Sequence, residues 1–210
     1  MLEVDGGFHV REAEESDMEG VIETLSDAFR ADPVMGMALG GMHRINKIRR
    51  LFNFQIESTY KDAGKIDVAV DADGTIIGAA LWIGPDAQRQ SFQRDLKNIP
   101  AYLKILGTSF PSGIYTELML LRARPRFEHW YLYTIGVHSN ARGRGVGGQL
   151  LDFRRHQLGQ HPAYLEASTI RSAALYRRHG FVELGEFPGG KPALGMWHPP
   201  VESPIDKMLK

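Results

Sequence analysis

The chain has 210 residues, 43% hydrophobic and 24% charged, the balance of a soluble globular protein with a substantial core. Lysine plus arginine and aspartate plus glutamate stand at 25 each, so bulk charge gives no ground for a nucleic acid or an anionic membrane as partner. Cysteine is absent, which excludes disulfides, cysteine–zinc sites and a thiol nucleophile, and no metal is expected.

The length fits a single domain over 1–210. The opening MLEVDGGFHVREAEE is acidic and lacks a signal-peptide core, and no apolar run reaches membrane-spanning length, so a cytoplasmic location is expected. Phe8–Ala13 reads as a short strand. Ser16 with Glu19 has capping-box spacing, and Met18, Val21, Ile22, Leu25, Ala28 and Phe29 then recur at helical spacing until Asp32-Pro33. Residues 34–42 hold three Met and three Gly, suited to packing or to an adaptable binding wall. Residues 43–60 read as a long helix with a basic start (Arg44, Lys47, Arg49, Arg50) and an apolar face of Ile48, Leu51, Phe52 and Ile56. Ile66–Val70 and Ile76–Ile83 form a hairpin around Asp71-Ala72-Asp73-Gly74, an Asp-Gly turn between apolar runs.

Residues 86–125 predict two helices, at about 89–98 and 101–109, and a further apolar run over 118–121, punctuated by Pro100, Pro111 and Gly113. They fit either a substrate-facing helical insertion or a packing cover. Late in the chain, Phe181–Phe187 and Pro192–Trp197 read as strands joined by a turn at Pro188-Gly189-Gly190. A proline-containing tail follows, expected to be loosely attached.

The centre of the chain is 129–181. Trp130–Val137 has the apolar, aromatic composition of a buried strand. A polar turn and Arg142-Gly143-Arg144-Gly145-Val146-Gly147-Gly148 lead into a helix carrying Leu150, Leu151, Phe153 and Leu158, which ends at Gly159. Ala163–Ala167 is the next strand, and Arg171–His179 a helix stopped by Gly180. A glycine-rich turn entering a helix leaves backbone N–H groups pointing outward, which with the helix dipole favours a phosphate. Between Val137 and Gly180 there are seven arginines against two acids, so a polyanion would find its positive field here. No Gly-Lys-Ser/Thr follows, which excludes a P-loop. Gly143, Gly145 and Gly148 match the dinucleotide fingerprint, with Glu166 as ribose ligand. However, five residues separate Val137 from Gly143, and little chain remains for a doubly wound sheet.

Arg142-x-x-Gly145-x-Gly147 after a long strand resembles the Q/R-x-x-G-x-G/A signature of the GCN5-related N-acetyltransferase (GNAT) superfamily. Val137 stands at the family's strand end and Leu150-Leu151 follow in the helix. Leu175-Tyr176-Arg177-Arg178-His179-Gly180-Phe181 is similar to the family's L-Y-x-x-x-G-F. The resemblance covers 129–197, about a third of the chain. It implies a mixed α/β fold with a central twisted, mostly antiparallel sheet of about seven strands and helices on both faces. It also implies acetyl-CoA as cosubstrate and direct attack by a primary amine on a small molecule or peptide.

On that reading the pyrophosphate rests on the N–H groups of Arg142, Gly143, Arg144, Gly145, Val146, Gly147 and Gly148. The pantetheine arm runs along Ile135 and Val137, where the family's central strand parts from its neighbour. Tyr176 protonates the leaving thiolate. Thr169 and Ser172 stand where many members carry Asn and Ala, and Thr169 is kept among the cofactor-binding positions. The family's usual base positions hold Tyr133 and Tyr131, a poor base at neutral pH. His129, Glu128 or Glu117 acting through water remain candidates, as does loss of the amine's proton to solvent, and Tyr131 and Tyr133 are expected to shape the acceptor pocket. Two other readings stay open, a nucleotide-binding oxidoreductase domain and a non-catalytic CoA-binding module, as does assembly into a homodimer.

Overall fold

A computed structural model describes residues 2–4, 7–42, 44–89, 91–186 and 193–200. The chain runs β1 (Leu2–Val4), β2 (Phe8–Glu12), α1 (Met18–Ala28), α2 (Pro33–Ala38) and α3 (Ile45–Gln55). A π-helical turn, Ile56–Tyr60, joins α3 to the short α4 (Lys61–Ala63). Then come β3 (Gly64–Asp71), β4 (Ile76–Ile83), α5 (Pro85–Arg89), α6 (Ser91–Leu106) and α7 (Phe110–Ala123). The rest is β5 (Trp130–Val137), α8 (Val146–Arg155), β6 (Ala163–Ala167), α9 (Ile170–Arg178), β7 (Val182–Glu186) and β8 (Leu194–His198). The strands form one sheet in the order β1-β2-β3-β4-β5-β6-β8-β7. All neighbours are antiparallel except β5 and β6. The seven expected strands are present, and Leu2–Val4 adds an eighth at the edge. One parallel pair in an antiparallel sheet is not the doubly wound frame of a dinucleotide fold, which removes the oxidoreductase reading of the glycines.

Two cores lie on opposite faces. On one, Val21 and Leu25 of α1 and Ile48 and Phe52 of α3 pack on Val68, Leu81, Tyr131 and Tyr164. On the other, Leu150 and Leu151 of α8 and Ala173 and Tyr176 of α9 pack on Ala69, Ala80, Leu132 and Leu165. Each fully buried large apolar side chain contributes about 1.5–3 kcal/mol. Every residue of β4 is buried, which explains its unbroken apolar run in place of alternation. Gly78 in β4 lets α8 approach: a Cβ there would stand 2.5 Å from Val146 Cγ1.

Several local expectations are corrected. The cap before α1 comes from Asp17, whose carboxylate accepts the Glu14 N–H at 2.7 Å, and Glu19 instead pairs with Arg49 on α3. α1 ends at Ala28 rather than at Asp32-Pro33, which instead starts α2: Pro33 sits in the first turn, and Asp32 Oδ1 accepts the Met35 N–H at 2.9 Å. Pro100 does not divide two helices but lies exposed inside α6, where its ring removes one helical N–H donor. Pro111 falls in the first turn of α7, where a missing N–H costs nothing, and the run 118–121 is helical. The turn Pro188-Gly189-Gly190, Phe187, Pro192 and the tail 201–210 lie outside the described residues.

Candidate active site

Tyr131 and Leu132 of β5 pair in parallel with Tyr164 and Leu165 of β6, and no pair follows. Yet β5 continues for five residues to Val137 and β6 for two to Ala167. The strands therefore diverge beyond Leu132–Leu165 and open a V in the sheet. On its other edge β5 stays paired with β4 from Tyr131 to Val137, with a bulge between Leu81 and Trp82 that leaves Tyr133 without an opposite residue. The side of β5 facing β6, including Ile135 and Val137, thus has no strand neighbour past Leu132.

The glycine loop lies beyond the open end of β5. Gly143 and Gly145 have φ of +84° and +81°, a region that favours glycine, and a Cβ on either would meet nothing within 4 Å. Gly145 caps α8 without a side chain, so it leaves the first-turn N–H groups of α8 with no side-chain cap. Gly147 and Gly148 are small for another reason. A Cβ on Gly147 would lie 3.2 Å from Leu175 Cδ2, and one on Gly148 would lie 2.7 Å from His179 Nε2, so these two let α9 pack against α8.

The arginines also divide. Arg154 is buried and donates to Asp67 and to Glu12 (3.0 Å), joining α8 to β3 and β2. Arg144 reaches Asp71 at the β3–β4 turn (2.9 and 3.2 Å), Arg155 lies 3.2 Å from Asp152, and Arg177 pairs with Glu183. Among the described residues only Arg142, Arg171 and Arg178 of the seven make no ion pair, and all three are exposed. The positive field read from the sequence therefore narrows to Arg142 beside the loop, with Arg171 and Arg178 on α9.

Tyr176 sits on α9 with its ring 5.9 Å from Phe181, in the core shared with β6. Burial pushes its ionisation well above the ordinary tyrosine value, and the nearby charges of Asp32 and Glu166 push the same way. The phenol thus keeps its proton, and among the described residues the hydroxyl has no hydrogen-bond partner. Thr169 caps α9 reciprocally with Ser172: its Oγ1 accepts the Ser172 N–H at 3.0 Å, and Ser172 Oγ accepts the Thr169 N–H at 3.1 Å. Ser168, just before it, donates to Asp32, tying the end of β6 to the α1–α2 turn.

Tyr131 and Tyr133 lie at the apex of the V. Tyr133 packs on Tyr60 (5.4 Å) and its hydroxyl accepts from Gln55 Nε2. Gln55 precedes the π-turn and Tyr60 is its last residue, so the turn brings both to the same ring. Tyr131 donates to Glu166 Oε2 at 2.7 Å. Arg124, one residue past α7, lies 4.2 Å over the Tyr131 ring and donates to its hydroxyl (2.9 Å), to Glu117 (3.1 Å) and to Glu166 (3.4 Å). Burial holds Tyr131 far above its ordinary ionisation and raises Glu166, against the opposing pull of Arg124.

Of the named base candidates, Glu128 pairs with Arg89 at the surface. His129 is buried on Tyr164, with Nδ1 2.7 Å from the Phe127 carbonyl. A carbonyl only accepts, so Nδ1 carries the proton; burial lowers the pKa and keeps the ring neutral. Glu117 belongs to the Arg124 network. Nothing in the sequence pairs Glu166 with Arg124. The one local signal for Glu166 is a charge alternating with Leu165 and Ala167 on an otherwise apolar strand.

A model of the acetyltransferase (GNAT) domain matches residues 114–183. A crystal structure described as histone acetyltransferase HPA2 and related acetyltransferase from Corynebacterium glutamicum is 37% identical, covering 94% of this chain and 99% of that one, with a TM-score of 0.72. Arylalkylamine N-acetyltransferase 2 from Aedes aegypti is 16% identical over 90% of this chain and 97% of its own, at a TM-score of 0.60. A mutant agmatine N-acetyltransferase in its apo form is 15% identical over 90% and 98%, at 0.54. Fold and match together define an acetyl-transferring enzyme. The chain belongs to the GNAT acetyltransferase family and is an N-acetyltransferase.

Proposed function

We propose that this single-domain enzyme binds acetyl-CoA in the V between β5 and β6 and transfers the acetyl group to a primary amine on a small molecule or peptide. The observation that carries this is the end of β5–β6 pairing at Leu132–Leu165, which leaves a strand edge for an amide-bearing arm to pair with. The N–H groups of Arg142 to Gly148 receive the pyrophosphate, with Gly143 and Gly145 leaving space for it. The edge at Ile135 and Val137 takes the pantetheine arm, and a β5 N–H there polarises the thioester carbonyl. Thr169 lines the CoA side at the start of α9. Acetyl-CoA supplies the activated acetyl group; the protein orients it, stabilises the developing oxyanion and handles protons.

Tyr176 donates its proton to the leaving sulfur, a role that suits a neutral phenol whose hydroxyl has no hydrogen-bond partner among the described residues. Residues 86–125 flank the acceptor side, where α7 brings Glu117 and then Arg124 to the apex. A primary-amine acceptor agrees with two solved relatives named for such amines, arylalkylamines and agmatine. A cytoplasmic setting belongs to the proposal; among the described residues no helix is long and apolar enough to cross a membrane. Titration with acetyl-CoA, then release of free thiol across a panel of primary amines, tests the reading. Binding with amine-dependent thiol release supports it; binding without turnover on any amine contradicts it.

A further inference from the structure

The amine that attacks must lose its ammonium proton, and neither usual base position on β5 holds a carboxylate or imidazole: both are tyrosines. The geometry points to a two-residue relay in their place, in which Tyr131 receives the ammonium proton at the apex of the V and passes its own to Glu166. This rests on the amine-acceptor reading above.

Three observations carry it. Glu166 is the first residue of β6 past the last β5–β6 pair, so it stands where the sheet opens. Leu165 and Ala167 belong to the core under α8 and α9. Alternation therefore puts Glu166 on the other face with Tyr164 and Tyr131. The 2.7 Å bond is oriented for transfer, because an ionised carboxylate only accepts and the tyrosine must be the donor. A carboxylate this enclosed, its side chain 6% exposed, has an evident structural partner in Arg124, yet Arg124 does not belong to Glu166 alone. It is shared with Glu117 and lies over the Tyr131 ring. Two carboxylates around one guanidinium leave a net negative charge beside the apex, which suits an incoming ammonium ion.

The groups facing Glu166 are Arg124 and Glu117 from α7 and its end, Tyr131 from β5 and Tyr164 on its own strand, and the charge of Glu166 also acts on Tyr176 of α9 from across the sheet. Burial raises Glu166, which makes it a better proton acceptor than a surface carboxylate. The step balances: one N–H bond of the ammonium breaks as an O–H bond forms on Tyr131, and the original Tyr131 O–H breaks as one forms on Glu166. The products are a neutral amine, a neutral tyrosine and a carboxylic acid.

The test is the pH profile of kcat/KM for an amine that the wild type acetylates, measured for Glu166→Gln and Tyr131→Phe alongside acetyl-CoA affinity and Tm. The expected result is a fall of at least ~10-fold at about pH 7 with acetyl-CoA affinity unchanged. The deficit should shrink towards the acceptor amine's own pKa, where no base is needed. The double variant should be no worse than the worse single one. A purely structural role for Glu166 predicts a deficit that is the same at every pH, and that outcome overturns the relay. If Glu166→Gln does not fold, Tyr131→Phe decides: it keeps Glu166 on Arg124 while cutting the transfer path, and a wild-type pH profile overturns the proposal. A wild type that binds acetyl-CoA but acetylates no amine sinks the amine reading itself, and the relay with it.

Discussion

Leu132 and Leu165 are the last residues of β5 and β6 to face each other in register, and beyond them the two strands separate. That parting places the Tyr131–Glu166 pair at its apex, the edge of Ile135 and Val137 along one arm, and the glycine loop past the open end.

Tyr176→Phe removes one hydroxyl and little volume from a ring packed on Phe181, so Tm should hold. A thiol is already a fair leaving group, so turnover should fall by about 100-fold, the low end of general-acid effects. Acetyl-CoA affinity should change little. Loss of Tm with normal turnover would make Tyr176 a core residue only.

The loop glycines should separate in two variants. Gly145→Asp sets a negative side chain into open space at the α8 N-terminus and should abolish acetyl-CoA binding in a folded protein. Gly148→Ala presses a methyl against His179 and should cost about 1–3 kcal/mol of stability while leaving affinity near wild type. Calorimetric titration and thermal melts of both read the difference; equal effects on affinity would contradict the division.

Arg142→Ala should weaken acetyl-CoA binding and flatten its salt dependence, since Arg142 is exposed and makes no ion pair among the described residues. Arg144→Ala should do less, because that side chain is held by Asp71. Titrations at low and high ionic strength check this, and a salt response unaltered by Arg142→Ala counts against it.

The fold was legible where one element explained itself. The Asp71–Gly74 hairpin, the α3 face of Ile48, Leu51 and Phe52, and the glycine loop each lie within a short window whose pattern matches its burial. The site was only partly legible, because its electrostatics depend on distant pairings. Arg154 reads as part of a positive field until Asp67, 87 residues earlier, is found against it. Arg124 and Glu166 are 42 residues apart and meet only because α7 ends over β5. Pro100 shows a local rule overridden by a helix with solvent on that side.

His129 and His198 both have pKa values lowered by burial from about 6.5. Below that value the unfolded chain binds protons at these two rings that the folded chain does not, so their contribution to stability falls as pH drops from about 6.5 towards the depressed folded values. The limiting slope is about 1.4 kcal/mol per pH unit for each histidine. Thermal melts between about pH 7.5 and about pH 5.5 should show this fall, and His129→Gln should lessen it. A pH dependence of Tm unaltered by His129→Gln would contradict the neutral burial of that ring.

The placement of acetyl-CoA in the parted strands is tested most directly by amide hydrogen exchange with and without saturating acetyl-CoA. Protection should rise at residues 133–137 of β5 and at 142–148, with the β3–β4 turn at Asp71–Gly74 unchanged. Binding shown by calorimetry with no added protection along 133–137 would place the ligand elsewhere and contradict the account.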